Sequence, residues 1–231
     1  MGMDKDNKKL RTALFMNVIM VLIEIMAVNY AYTENDGLYM FKYYTDGSNF
    51  LGLIVSGIFV LFMLPALSKG RTSGFVSTYM MQHYKGSSAL PEWLVMLRYI
   101  ATCCLILTLT VVLLVLGPSE GFAHELIEGM HPINHIGAPL LSLFSLIFFE
   151  RSAPLPKQAP LIGIVPTMIY AFLLIVLNAV GFIDGPYFFL RVREQPVYVT
   201  LFWLIVMLGG NYILSWLIMR VYNKNISTKQ K

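Results

Sequence analysis

Thr45, Asp46, Ser48 and Asn49 gather two hydroxyls, a carboxylate and an amide in "TDGSN", residues 45–49, at the head of an apolar run. Each can satisfy a free backbone N–H in the first turn of a helix. One cap is enough, even in lipid, where unpaired backbone groups are costly. The surplus raises the alternative that Thr45 reacts. A second polar stretch, "GMHPINHIGAP", residues 129–139, carries His131, Asn134 and His135. His124, Glu128, His131 and His135 are spaced four, three and four apart. On one continuous helix they would share a face, and such residues can ligate a transition metal. Pro132 predicts instead a non-helical His131 and a helix that starts anew at residue 132. His135 then lies at shallow membrane depth, where an ionisable side chain marks either a functional site or a hydrogen bond to a neighbouring helix. Glu24, in the middle of another apolar run, should face the protein interior, protonated or bonded to Asn or Tyr on a neighbour. Asn17, Asn29, Asn178 and Asn211 are the available partners.

The elements that position these residues are read from hydropathy. Of 231 residues 57% are hydrophobic and 13% charged, about half the charge of a typical soluble domain, and the mean hydropathy is +0.65. A spanning helix needs roughly 20 apolar residues. Six segments qualify, at 12–32, 47–67, 94–116, 132–149, 160–180 and 196–219, the fourth being short. The expected fold is all-α, a single polytopic six-helix membrane domain over 1–231. The first apolar run is too long for a signal peptide and lacks a cleavage site. Cys103 and Cys104 are adjacent within a span and form no disulfide framework.

Orientation follows from Lys and Arg. With the N-terminus in the cytoplasm, fourteen of seventeen fall inside, including Arg98, Arg151 and the 69–85 loop that also holds His83; only Lys42, Arg191 and Arg193 fall outside. Both termini are therefore expected to be cytoplasmic. The net charge of +4 is explained by topology and calls for no nucleic-acid partner. This places Thr45, Asp46, Ser48 and Asn49 and the 129–139 stretch in one leaflet, the outer, with Asp184 and "GPYFFL", residues 185–190. The inner half offers no comparable cluster.

Four stretches in order carry a resemblance: K-Y-x-T-x-x-S-N-x-L at 42–51, "LRYIATCCLILTLTVVLLVLGP" at 97–118, N-H-x-x-x-P at 134–139 followed by "FFE", and G-x-x-x-G-P-Y-F-F-L at 181–190. Together they resemble the androgen-induced multipass membrane protein family, which includes bacterial members and animal hydrolases of fatty-acid esters of hydroxy fatty acids. The sequence departs from it at Phe188, where a second Pro is usual, and at Arg191, where an Asp is usual.

The resemblance implies an intramembrane lipid-ester hydrolase with Thr45 as nucleophile and His135 as general base, acting on a membrane lipid or lipid ester without a cofactor. A threonine hydroxyl needs an adjacent base, and a neutral imidazole can take its proton and return it to the leaving alcohol. Ser48, Asn49 and Asn134 are then candidate oxyanion donors, and Asp46 or Asp184 a candidate to orient the imidazole. Two other classes stand beside it: a metal-dependent hydrolase using His124, Glu128, His131 and His135, and a non-enzymatic transporter or ligand-binding bundle in which Glu24 lines a path. A bacterial plasma membrane is the expected location.

Overall fold

Long apolar runs become helices because, in hydrocarbon, only a helix or a closed barrel satisfies every backbone group within the chain. A computed structural model describes residues 2–67 and 90–227, with side chains placed for 8–64 and 90–227. His83, Lys69, Arg71 and Lys85 lie outside the described residues. The helices are α1 (Gly2–Glu34), α2 (Tyr44–Leu67), α3 (Glu92–Val111), α4 (Gly117–Glu120), α5 (Phe122–Ile127), α6 (Ala138–Phe148), α7 (Ala159–Gly163), α8 (Val165–Ala179) and α9 (Val197–Ser227), with no strand among the described residues. Five stretches, Lys8–Glu34, Tyr44–Leu64, Glu92–Glu120, Ala159–Ala179 and Val197–Ser227, are long and apolar enough to cross a membrane. Pro132–Phe148 is a shorter sixth, about 25 Å long at 1.5 Å per residue. The chain is an all-α polytopic bundle, and its outward surface is apolar: Phe15, Leu22, Leu114, Phe172 and Ile205 are all exposed.

Helices α1, α2, α3 and α6 pack on one another, and α7 to α9 lean against α3 and α6. One end of the bundle is built from Leu10, Leu90, Leu94, Leu155 and Tyr222 in a single cluster, tied by Leu90 N–H to the Arg151 carbonyl at 2.6 Å and Ser152 N–H to the Tyr222 hydroxyl at 3.1 Å. Leu10 of α1 and Tyr222 of α9 bring the first and last helices together there. Segments 34–47, 116–135 and 181–196 meet at the other end. The Lys and Arg count predicts that the first end faces the cytoplasm.

Arg98 corrects that count. It is no interfacial flank but fully buried, its Nε donating to both carboxylate oxygens of buried Glu150 at 3.0 and 3.1 Å. Its other nitrogens donate to Ser56 and Ser142, while Asn17 and Ser145 donate to Glu150. The inner half thus holds a polar cluster the hydropathy reading lacks. A guanidinium reaches such depth only when every donor finds an acceptor.

Two π-helical turns, Val112–Leu116 and Pro132–Gly137, interrupt the spans near the far end. Each ends in an N–H bonded five residues back, Gly117 to the Val112 carbonyl and Ala138 to the Ile133 carbonyl, and each is followed by a proline, Pro118 and Pro139. A proline has no N–H for the carbonyl four residues back, so a wider turn is tolerated there. The break at Ile164 between α7 and α8 has the same origin in Pro166.

Candidate functional site

Thr45 sits inside the first turn of α2, not in the loop before it. The Tyr44 amide at that helix start is taken by the Tyr187 hydroxyl at 3.0 Å. Ser48 Oγ and Asn49 Nδ2 both donate to the Thr45 carbonyl, at 2.9 and 2.8 Å. The polar head of α2 therefore braces the backbone of Thr45 and leaves its side chain free to face across the bundle.

What it faces is His135. The Pro132–Gly137 turn delivers that ring so that Nε2 lies 3.4 Å from Thr45 Oγ1. Nδ1 lies 2.6 Å from the Glu125 backbone carbonyl. A carbonyl only accepts, so Nδ1 carries the proton and Nε2 is the free base directed at Thr45. The Glu125 carboxylate stands behind, Oε2 3.7 Å from Nδ1. Burial raises the Glu125 carboxyl above its usual value, with His131 nearby opposing the shift. His135 is 4% exposed, and it is not the exposed ring of a surface histidine.

Two cavities meet at Thr45. One is an apolar chamber of about 640 Å³, counted with its open side, between α3, α8 and α9, walled by Val111, Ala171, Phe189, Trp203 and Met207. Its aromatic wall is continuous, with Tyr187 stacked on Phe189 at 5.2 Å and Phe189 against Trp203 at 5.5 Å. The other is a polar vestibule of about 1110 Å³, counted with its open mouth, bounded by Asp46, Glu125, Asn134 and His135. Thr45, Leu116 and Tyr187 line both. Tyr187 also stands beside Thr45 in both cavity walls, and burial drives its hydroxyl well above the ordinary tyrosine value. Having accepted the Tyr44 amide, it keeps its own hydrogen as a donor beside Thr45.

The remaining expected residues divide. Asn134 lies in the vestibule wall, buried, its Oδ1 without a hydrogen-bond partner. Asp46 lines the vestibule and accepts from Asn35 at 3.4 Å. Asp184 is exposed and lines neither cavity. Glu24 is fully buried against Gly52, where a Cβ would come within 2.9 Å of Oε1, and neither carboxylate oxygen has a hydrogen bond. The expected Asn partners are elsewhere: Asn17 donates to Glu150, Asn178 to the Ile183 carbonyl, Asn211 to Thr167, and Asn29 is exposed.

The one-face arrangement of His124, Glu128, His131 and His135 does not form. Glu128 is extended and Gly129 takes φ +52°, which ends the helix between them. His131 itself is helical (φ −56°, ψ −39°), against the expectation from Pro132. Its Nδ1 donates to the His124 carbonyl at 2.6 Å and its ring stacks on His135 at 4.9 Å. His124 pairs with Glu128 at 2.8 Å, which raises its pKa. Among the described residues no three His, Cys, Asp or Glu side chains converge as a metal site. Phe188 packs on Trp203 at 5.4 Å, and Arg191 holds the Gly185 carbonyl at 3.3 Å.

Two contributors escaped the residue-type reading. The Glu125 carbonyl has no side-chain signature at all. Tyr187 has one, a tyrosine in the same outer-end stretch as Asp184, but a tyrosine at that level is also what an interfacial anchor looks like. No family model, curated protein or solved structure matches the chain.

Proposed function

We propose that the protein is an intramembrane hydrolase of lipid esters, with Thr45 as nucleophile and His135 as general base. The observation that carries the proposal is the relay of Thr45 Oγ1, His135 Nε2 and the Glu125 carbonyl, with the imidazole proton held on Nδ1. A bare threonine hydroxyl attacks poorly, and a base held in the right tautomer by a fixed acceptor is what activates it.

Thr45 Oγ1 bonds to the ester carbonyl carbon as its proton passes to Nε2. The carbonyl becomes an oxyanion beside the Tyr187 O–H. Collapse breaks the bond to the alcohol oxygen, which takes the proton from Nε2 and leaves. Water then adds to the acyl-threonine, giving its proton to Nε2. The acyl–Thr45 bond breaks, the proton returns to Oγ1, and the sum is ester plus water to acid plus alcohol. The apolar chamber suits an acyl chain and the vestibule admits water.

The test is mass-spectrometric mapping of the adduct formed with a lipid-tailed fluorophosphonate on the detergent-purified protein. Thr45 should carry the label, and His135→Ala should suppress it. Folded protein that takes no label, or takes it equally in His135→Ala, overturns the proposal.

A further inference from the structure

Carboxylates dominate the charge of the vestibule wall, the exception being His124, whose pairing with Glu128 raises its pKa. Glu34, Asp46, Glu120 and Glu125 line it, and among the described residues no lysine or arginine does. Lys42 approaches only through the ring of Tyr43, its Nζ 4.8 Å from the centroid, and is not part of the wall. Three histidines, His124, His131 and His135, also line it. Asn134 adds an acceptor: it is 4% exposed and its Oδ1 has no partner. A buried amide oxygen of this kind calls for a donor from an occupant. The concave, partly apolar wall concentrates the field of the carboxylates on whatever enters.

The chemistry decides which half of an ester meets this field. The leaving oxygen must receive its proton from His135, and His135 lines the vestibule but not the chamber. The alcohol half therefore departs through the vestibule. The chamber, which has no charged residue in its wall, receives the acyl chain. Resting on the ester-hydrolase reading above, we propose that the vestibule selects the alcohol half by charge, favouring alcohols that carry a hydrogen-donating ammonium, accepting uncharged ones and refusing those that carry a carboxylate. Hydroxy fatty acids, the alcohols implied by the family resemblance, belong to the refused class.

Three esters of one medium-chain fatty acid test this, their alcohol halves equal in length and ending in dimethylammonium, hydroxyl or carboxylate. Hydrolysis is followed with the full-length protein in a neutral detergent at about pH 8, where an ordinary histidine is neutral. The expected kcat/KM falls in that order, by about tenfold or more from first to last at low salt. Salt at about 0.5 M narrows the ratio through screening, and the double variant Glu34→Gln/Glu120→Gln, at two exposed positions, narrows it further. A carboxylate ester cleaved as fast as the ammonium ester, or a ratio unmoved in the double variant, overturns the charge selection while the hydrolase stands. No turnover of any of the three, with Thr45 unlabelled by the fluorophosphonate, overturns the hydrolase reading and the selection with it.

Discussion

The hydroxyl of Thr45 has His135 at 3.4 Å, and Tyr187, its hydroxyl on the neighbouring Tyr44 amide, lines the same two cavities. In the proposed reaction the first removes a proton and the second supplies one hydrogen bond to the developing oxyanion. Ser48 and Asn49, the donors expected for that role, are held by the Thr45 carbonyl. Tyr187→Phe should therefore lower kcat by about 10²-fold, the scale of one oxyanion donor, with KM little changed and a modestly lower thermal midpoint, because the Tyr44 amide loses its acceptor. Matched steady-state kinetics and melting curves check this; a variant that loses stability but keeps kcat assigns Tyr187 to packing. That the Thr45 and His135 stretches meet was legible as polar residues at one depth of an apolar chain, while their pairing as nucleophile and base came from the family resemblance alone. The acceptor that orients His135 was not legible, because every residue carries a backbone carbonyl and only the fold says which one is near.

Elements bring these residues together through irregularities, and the irregularities have visible causes. The π turn at Pro132–Gly137 presents His135, and the one at Val112–Leu116 presents Leu116 to both cavities. The span boundaries followed from hydropathy, and the prolines at 118, 139 and 166 were in view. Which backbone adjustment each would cause was not, since a kink, a π turn and a break all answer a missing N–H. The loop that carries Tyr187 depends on Gly185, where a Cβ would lie 2.7 Å from the Leu190 carbonyl oxygen. That contact is with backbone, so Gly185→Ala must displace the 185–190 segment. A misplacement of about 1 Å is enough to cost on the order of 10²-fold in rate. Gly185→Ala should thus lose ester cleavage while helix content by circular dichroism stays at the wild-type level; retained cleavage would show that the loop does not position Tyr187.

On the scale of the whole molecule, one end of the bundle is tied together and the other holds open cavities. The tied end centres on Arg98 and Glu150, which link α1, α2, α3 and α6 through Asn17, Ser56, Ser142 and Ser145. Hydropathy alone could not reveal this, because Arg98, six residues into α3, has the same sequence context as a flank that snorkels to the interface. The difference lies in whether the facing helices offer acceptors. The pair stabilises chiefly by being complete. Removing one member leaves a buried charge with no counterpart, a loss of about 3–5 kcal/mol, whereas replacing both with apolar residues of similar volume is often close to neutral. Arg98→Met should therefore melt well below wild type in detergent, Glu150→Met likewise, and Arg98→Met/Glu150→Met should regain most of the loss. Midpoints of the three variants form a double-mutant cycle, and simple addition of the two single losses would mean that Arg98 and Glu150 act as separate packing residues and not as one ion pair. Because Thr45 lies at the opposite end, the double variant should also keep the fluorophosphonate label, which separates the scaffold that holds the helices from the site they present.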